Sequence, residues 1–379
     1  MPALQKFNYY RRVFPAYLLP GHSQLSFWHD AVELNPRAST GVLGEYYMNF
    51  AEKARYAGPS DSHGIPKLNY HGSIGCRYNP IAIAQWGLGN FNLYKQGFRE
   101  HSFRKFFLAS NWLCLHLEEN AHGVSVWNHH FDWEYRSRLR SPWYSGLAQG
   151  QGISLLVRAH AESGDRKYLV AAMLAFRSFL IGVNQGGVAF TDSRGGLWFE
   201  EYIVTPPTHI LNGFIWALWG VYDFLLSTNS ADARHLFSAG VKTLATNLES
   251  YDLGFWSLYE QSGTRLPMIA SPFYHRLHGL RVMEAEAHKI SWRKAGALVT
   301  PEFENAWSLT LDLVSTGNRQ CGRMVIFRHY SSRDLHLDIN LLTSGFATTL
   351  ADALQRTMVD ITEFAADTQQ SVLLSAQAG

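Results

Sequence analysis

The sequence predicts a mainly α protein, an (α/α) toroid or barrel of helical hairpins with short β-hairpin loops at its mouth. Apolar residues recur at three- and four-residue steps in stretches that come in pairs, which is the period of an amphipathic helix. The pairs begin at residues 79, 144 and 208, and a loop of glycine and aromatic residues follows each pair. Such a repeat is typical of stacked helical hairpins, and an open helical solenoid is the alternative architecture.

Each pair consists of two stretches of helical length. The predicted pairs are 79–94 with 101–119, 144–162 with 166–183, and 208–227 with 231–250. In the second pair Gly146, Gly150 and Ser154 lie four residues apart, so we expect a stripe of small side chains that lets a neighbouring helix approach closely. Thr205 and Thr208, with two prolines between them, predict the start of the next helix.

Three regions are expected along the chain. Residues 1–75 form an N-terminal extension that packs on the barrel, and residues 76–318 form the barrel itself. Residues 319–379 add a β-hairpin and a helix over 341–364, because alternating apolar residues flank the turn formers Ser331 and Ser332.

The composition is that of a globular protein with little net charge. Of 379 residues 46% are hydrophobic, and 33 Lys and Arg against 31 Asp and Glu leave a charge of +2. This excludes a disordered chain and argues against a nucleic-acid binder, which needs a concentrated basic surface. Three widely spaced cysteines argue against a disulfide framework. The N-terminus shows no secretory signal and no stretch reads as a membrane span, so we expect a soluble chain with no membrane partner, in an unknown compartment.

The familiar catalytic motifs are missing from the sequence. It contains no HExxH, Walker A, GxSxG or EF-hand pattern. His275 and His278 stand three residues apart, but no third ligand follows at the spacing of a metal site. We therefore expect no metal.

Loops between the predicted hairpins are rich in Trp, Tyr, His and Glu. These loops are 198–202, 256–260 and 273–276. In a toroid, loops at the same end of successive hairpins surround one mouth, so these side chains can converge. Aromatic rings stack on sugars, and carboxylates with phenols move protons, although for any single aromatic residue a place in the core is the favoured explanation.

Four segments carry a resemblance to a known family. Residues 143–158 (WYSGLAQGQGISLLVR) and 200–223 (EEYIVTPPTHILNGFIWALWGVYD) resemble the C-terminal catalytic domain of the heparan sulfate or heparosan D-glucuronyl C5-epimerases. Residues 78–87 (YNPIAIAQWG) and 274–278 (YHRLH) resemble it as well, in the same order. The similarity extends from about residue 78 to about residue 307.

The resemblance implies an isomerase that converts D-glucuronic acid to L-iduronic acid within a heparosan-type polysaccharide. It implies an acidic polysaccharide as partner, a homodimer, and no cofactor, because the carboxylate of the substrate makes the C5 proton removable. Glu201 and Tyr274 match the two proton-transfer groups, which act from opposite faces of the sugar, and Tyr202 and Tyr259 would support them. Which of the two abstracts the proton from D-glucuronate stays open. For Glu201 a helix-capping role is the alternative.

Further residues of the matching segments are expected to contact the substrate. They are Trp143, Tyr144, Gln149, Gln151, Trp198, Glu200, Asn212, Arg265, His275, Arg276 and His278. The family's arginine three positions after Tyr259 is Ser262 here, and the nearest arginine is Arg265. Arg136, Arg138 and Arg140 could follow an anionic chain, or form a solvated face.

Two other functions fit the same residue types. A polysaccharide lyase on an (α/α) toroid would remove the same C5 proton and then expel the 4-linked sugar. A non-catalytic module that binds acidic glycans would keep the aromatic residues and arginines.

Overall fold

A computed structural model of the chain describes residues 27–28, 34–39, 41–70, 72–135, 138–253 and 257–263, the single positions Met268, Ala270, Tyr274 and His278, and the backbone of five short strands between 293 and 375. The chain forms two compact units, residues 1–242 and 243–379. The separate regions expected from the sequence, 1–75, 76–318 and 319–379, stay a prediction.

The long helices occur in three consecutive pairs at the predicted positions. After one turn of helix, α1 (Ala51–Ala54), the pairs are α2 (Pro80–Lys95) with α3 (Arg99–Leu115), α4 (Gly146–Ser163) with α5 (Arg166–Phe176), and α6 (Leu211–Thr228) with α7 (Ala231–Asn247). The protein is therefore mainly α, as predicted, and closure of the hairpins into a toroid stays a proposal. None of the helices in the described part combines the length and hydropathy that a membrane crossing requires.

Short antiparallel strand pairs occupy the connections of the first unit. They are β1 (Leu68–Asn69) with β2 (Cys76–Arg77), β3 (Glu118–Glu119) with β4 (Ser125–Val126), β5 (Trp133–Glu134) with β6 (Arg138–Leu139), and β7 (Ala189–Thr191) with β8 (Leu197–Phe199). The hairpins β3–β4 and β7–β8 lie in two of the predicted glycine-aromatic loops, after α3 and α5.

The second unit contributes further strands. They are β9 (Arg293–Lys294) with β10 (Ala297–Leu298), and β11 (Arg323–Arg328) antiparallel to β12 (Leu335–Asn340), which pairs in parallel with β13 (Leu374–Ser375). The turn expected at Ser331 and Ser332 and the helix expected over 341–364 lie outside the described residues.

Side-chain caps start two of the inner helices. The side chain of Asn79 accepts hydrogen bonds from the N–H groups of Ile81 and Ala82 at 2.9 and 3.2 Å, with Pro80 at the first position of α2. Ser145 caps α4 in the same way, at 3.4 Å. The cap predicted before the third pair is wrong, because α6 begins after Ile210, which makes no side-chain cap.

The helices form two layers that differ in burial. In α2, α4 and α6 nearly every residue of the first three turns is buried, whereas α5 buries one face only. Helix α4 packs against both α2 and α6. The first helix of each pair is thus an inner helix, which explains why apolar residues surround it on all sides.

Glycines allow α4 and α6 to touch backbone to backbone. A Cβ built on Gly150 would lie 2.6 Å from Cα of Ala217, and one on Gly220 would overlap the backbone of Gly150. The close helix approach expected from the stripe of small residues on α4 is therefore confirmed at Gly150, whereas a Cβ on Gly146 would meet the carbonyl oxygen of Glu200, at 2.6 Å.

A buried ion pair ties the same two helices to residues 44–47. Nη1 of Arg158 on α4 lies 2.6 Å from Oδ2 of Asp223 on α6, and both side chains are inaccessible to solvent. Tyr47 donates to Oδ1 of Asp223 at 2.7 Å, and Nε of Arg158 donates to the carbonyl of Gly44 at 2.8 Å. Burial, the larger effect, and the Asp223 charge raise the pKa of Tyr47 well above its usual value.

Candidate active site

The acidic segment Glu200–Glu201–Tyr202 follows β8 and lies against the N-terminal turns of α4 and α6. The N–H of Gly146 donates to the carbonyl of Glu200 at 2.9 Å. Nδ2 of Asn212 lies 3.5 Å from Oε2 of Glu201, and a Cβ on Gly213 would overlap this carboxylate. Both helices therefore direct the positive ends of their dipoles toward the segment, which suits negative charge.

Glu200 closes the loop that follows it. Its carboxylate is 2% exposed and accepts from the N–H groups of Thr208 and His209, both at 3.1 Å. Its Oε1 lies 2.6 Å from Nδ1 of His209. The carboxylate of Glu200 is occupied within the protein, where it binds backbone N–H groups ahead of α6. Its expected contact with a substrate stays a prediction.

Trp198 packs against His209 and so stabilises the loop that Glu200 closes. Its ring stacks on His209 at 4.3 Å between centroids, and its Nε1 donates to Asp192 at 2.8 Å. Trp198 is also 2% exposed, and its contact with substrate stays a prediction. His209 was missed in the sequence, since no local pattern indicates that Glu200 would reach it.

Glu201 is buried as well, and Nδ2 of Asn212 approaches its Oε2. Asn212 is itself buried, and its contact with substrate stays a prediction.

Tyr202 belongs to an aromatic group with Tyr135 and Trp143. The ring of Tyr202 lies 4.4 Å from that of Tyr135 and 5.7 Å from that of Trp143, between centroids. Trp143 also packs on Phe131 and on His129, whose ring is parallel to the indole at 3.8 Å. Burial lowers the pKa of His129 to about 3, so the imidazole is neutral at physiological pH.

A cavity of about 560 Å3 opens next to this group. Its wall is formed by the residues that precede α4 and by the loop that Glu200 closes; they are Arg138, Leu139, Arg140, Pro142, Trp143, Tyr144, Ile203, Val204 and Thr205. The structure thus brings together Trp143 and Tyr144 from the predicted set with two of the three predicted arginines. Arg136 lies outside the described residues. Burial raises the pKa of the Tyr144 phenol.

The two predicted glutamines do not reach this cavity. Gln149 is buried, its Oε1 accepts from the N–H of Trp127 at 2.9 Å, and its Nε2 donates to three oxygens, among them Oγ of Ser178 at 3.1 Å. Gln151 is buried between α4 and α2 and pairs with Gln85 at 3.0 Å. Gln149 is therefore hydrogen-bonded within the protein, whereas Nε2 of Gln151 has no hydrogen-bond partner among the described residues; a contact of either glutamine with substrate stays a prediction.

The second unit holds the predicted tyrosines side by side. The rings of Tyr259 and Tyr274 lie 4.9 Å apart, inclined at 56°. His278 is buried, with Nδ1 2.9 Å from Oγ of Ser257. The remaining predicted contacts, Arg265, His275 and Arg276, lie outside the described residues.

Metal-binding clusters were sought in the described part of the chain. There, no three or more His, Cys, Asp or Glu side chains come together in a way that could hold an ion.

These features define a protein of helical hairpins with a buried carboxylate beside a basic and aromatic cavity. Residues 120–286 match the family described as the D-glucuronyl C5-epimerase C-terminus. This match covers three of the four segments that carry the resemblance, residues 143–158, 200–223 and 274–278, so the resemblance to this family is confirmed there.

Two relatives illustrate the similarity. A D-glucuronyl C5-epimerase of Caenorhabditis elegans is 34% identical over 195 residues, which are 48% of this chain and 31% of that protein. An uncharacterized protein of Methanocaldococcus jannaschii is 34% identical over 161 residues, 42% of this chain and 51% of that protein. The matches thus span about a third and about half of the lengths of these relatives.

Proposed function

We propose that this protein is an epimerase that inverts C5 of D-glucuronic acid residues within a heparosan- or heparan-type polysaccharide, giving L-iduronic acid. The observation that carries the proposal is the buried carboxylate of Glu201, set against α6 at the start of the loop that lines the basic, aromatic cavity. This segment lies within the region that matches the epimerase family.

The chemistry needs a base, an acid and a stabilised intermediate. The C5 proton is α to the sugar carboxylate, so its removal adds negative charge to a group that is already anionic. Inversion then requires reprotonation by a second group. Glu201 is the first candidate because its buried carboxylate lies at the first turn of α6, within the region that matches the family. Tyr274 is the second, with the ring of Tyr259 packed beside it at 4.9 Å.

Tyr202 extends the same site toward the cavity. Its phenol ring packs on Tyr135 and Trp143, whose indole lines the cavity, so it stands between the acidic segment and the aromatic wall. A donor at this position suits the enolate-like oxygens of the intermediate. The homodimer implied by the family resemblance remains part of the proposal.

Incubation with N-sulfoheparosan and with heparosan in heavy water tests the proposal. We expect deuterium at C5 and new iduronate signals by NMR, with no ultraviolet absorbance from an unsaturated uronate. A rising absorbance with shortening chains would identify a lyase instead, and no change with either polymer would contradict the epimerase.

Single substitutions then test the two proton-transfer groups. Glu201→Gln and Tyr274→Phe are expected to lower the rate of conversion by roughly 10²–10⁴-fold, because each removes a group that transfers a proton in the transition state. Glu119→Gln is the matched control, since this carboxylate is exposed on β3. Conversion at the control's rate in either variant would remove that residue from the mechanism.

A further inference from the structure

Two arginines of the cavity wall differ in what they bind. Arg138, on β6, donates from Nη2 and Nε to the same carboxylate oxygen of Asp132, at 2.6 and 3.1 Å. The second oxygen of Asp132 accepts the N–H of Ser141 at 2.9 Å. The N–H of Ser141, first, and Arg138 hold the pKa of Asp132 below its usual value. Arg138 is thus neutralised by a carboxylate that belongs to the same hairpin.

Arg140 forms no comparable ion pair. Its side chain is exposed at the cavity, and within the described ranges it makes neither a hydrogen bond nor a salt bridge, although its charge also helps to lower the pKa of Asp132. Asp132 is already bound by Arg138, so the guanidinium of Arg140 stays available to a further anion. A guanidinium presents five N–H donors in a plane, which matches carboxylate and sulfate groups.

The rest of the wall fits a sugar ring. Trp143 and Tyr144 offer aromatic surface, Ile203 and Val204 offer apolar surface, and Thr205 carries a hydroxyl group. Trp143 is held rigidly by His129 on one face, and its Nε1 donates to the carbonyl of Phe131 at 2.8 Å. Aromatic side chains with fixed orientation bind without a large loss of conformational entropy.

We propose that Arg140, with Trp143 and Tyr144, forms a subsite for an anionic pyranose unit of the polysaccharide, and that Arg140 binds its carboxylate or sulfate group. The proposal rests on the proposed function for the choice of polymer. The cavity that holds this subsite is also lined by residues 203–205, which directly follow the acidic segment. The subsite would therefore bind one sugar unit of the polysaccharide while another unit, a glucuronate, is presented to Glu201.

Binding and turnover of Arg140→Gln, Asp132→Asn and Arg166→Gln test this subsite. Arg166→Gln is the matched control. Arg166 is exposed on α5, so this substitution removes the same charge at a position that does not line the cavity. The probes are heparosan oligosaccharides, which carry carboxylates alone, and N-sulfoheparosan oligosaccharides, which carry sulfate groups as well. Kd is measured by calorimetry at low and high salt, and kcat and KM by C5 deuterium incorporation.

We expect Arg140→Gln to raise Kd and KM about tenfold while kcat changes by less than about twofold. This is the pattern expected when a substitution removes a contact that binds the substrate equally strongly in the ground state and in the transition state. We expect Asp132→Asn to lower Kd severalfold, since it frees Arg138 and removes a repelling charge, an effect that damage to the loop cannot produce. High salt should shrink both differences. If Arg140→Gln raises Kd for both probes, the group that Arg140 binds is the carboxylate. If Kd rises for the sulfated probe alone, that group is the sulfate.

Equal Kd values in Arg140→Gln and Arg166→Gln would overturn the subsite, and so would weaker binding in both Arg140→Gln and Asp132→Asn. Absence of binding to either polymer by the unmodified protein would overturn it too. Binding that depends on Arg140 without any deuterium incorporation would retain the subsite and refute the epimerase. Epimerisation by the unmodified protein, together with unchanged binding in Arg140→Gln, would retain the epimerase and refute the subsite.

Discussion

The carboxylate of Glu200 lies 2.6 Å from Nδ1 of His209, and this contact closes a loop whose middle residues line the cavity. His209 has a φ of 47°, in the left-handed region that residues with a side chain rarely adopt. The hydrogen bonds of Glu200 and the stacking of Trp198 compensate for this conformation. The shape of the cavity wall therefore depends on a pair of residues that do not line it.

Glu200→Gln is expected to weaken this closure. An amide can still accept a hydrogen bond but carries no charge, so the contacts to the loop lose their charge-assisted strength. The free energy of unfolding should fall by about 1–3 kcal/mol, and KM for the polysaccharide should rise. Urea denaturation and C5 deuterium incorporation measure the two effects, with Glu119→Gln as the control. A Glu200→Gln protein as stable as the control would show that the carboxylate does not hold the loop.

Gly213→Ala is expected to displace the Glu201 carboxylate. The added methyl group would overlap Oε2 of Glu201, so the carboxylate must move away from the first turn of α6. Deuterium incorporation should fall at least about tenfold, since small displacements of a reacting group are costly. Gly240→Ala is the control, because its methyl group meets only the flexible end of Leu218, at 2.7 Å. An exchange rate equal to that of Gly240→Ala would argue against Glu201.

Gly150→Ala is expected to destabilise the packing of α4 on α6. Its Cβ would lie 2.6 Å from Cα of Ala217 and 2.7 Å from the carbonyl oxygen of Trp216, both of them backbone atoms. The helices must separate, at a cost of about 1–3 kcal/mol in the free energy of unfolding. In Gly182→Ala the nearest atom would be 3.9 Å away, so this control should be neutral. Equal urea midpoints for the two variants would contradict the close approach.

His129 is expected to make stability depend on pH in the acidic range. Its pKa is about 3 in the folded protein, against an ordinary value of about 6.5, so the unfolded chain takes up a proton first as the pH falls. The stabilisation is complete above pH ~6.5 and declines by about 1.4 kcal/mol per pH unit down to pH ~3. Urea denaturation at pH 7 and pH 5 should show a loss about 2 kcal/mol larger in the unmodified protein than in His129→Gln. Parallel losses would contradict this assignment.

Local patterns in the sequence predicted the helices and one detail of their packing. The helical period located all three pairs, because burial of one or more helix faces leaves a regular trace in the order of the residues. The stripe of Gly146, Gly150 and Ser154 predicted the close contact with α6, since small residues at four-residue spacing have few other uses on a buried helix. The cap at Thr205 and Thr208 failed because the loop there is closed by Glu200, which acts from the preceding strand.

Residue type alone did not separate side chains that line the cavity from side chains that are buried behind it. Gln149, Gln151, Glu200 and Trp198 lie in the matching motifs, yet each is buried and hydrogen-bonded to another part of the protein, with Nε2 of Gln151 left without a partner among the described residues. Asn212 is buried as well and approaches Glu201. Buried polar groups need partners as much as a ligand does, so both kinds of residue look alike in a sequence.

The sequence by itself determined the class of fold, the positions of the paired helices and the family resemblance, because these are encoded in local periodicity and in contiguous motifs. Only the tertiary structure decided which polar side chains are satisfied within the protein and which face the cavity. Arg138 and Arg140 are two residues apart in the chain, and the pairing of Arg138 with Asp132 across a hairpin leaves Arg140 without a salt bridge among the described residues, although its charge still acts on Asp132. Hydrogen bonds and ion pairs between residues far apart in the chain depend on distances in space, and these distances cannot be read from the sequence.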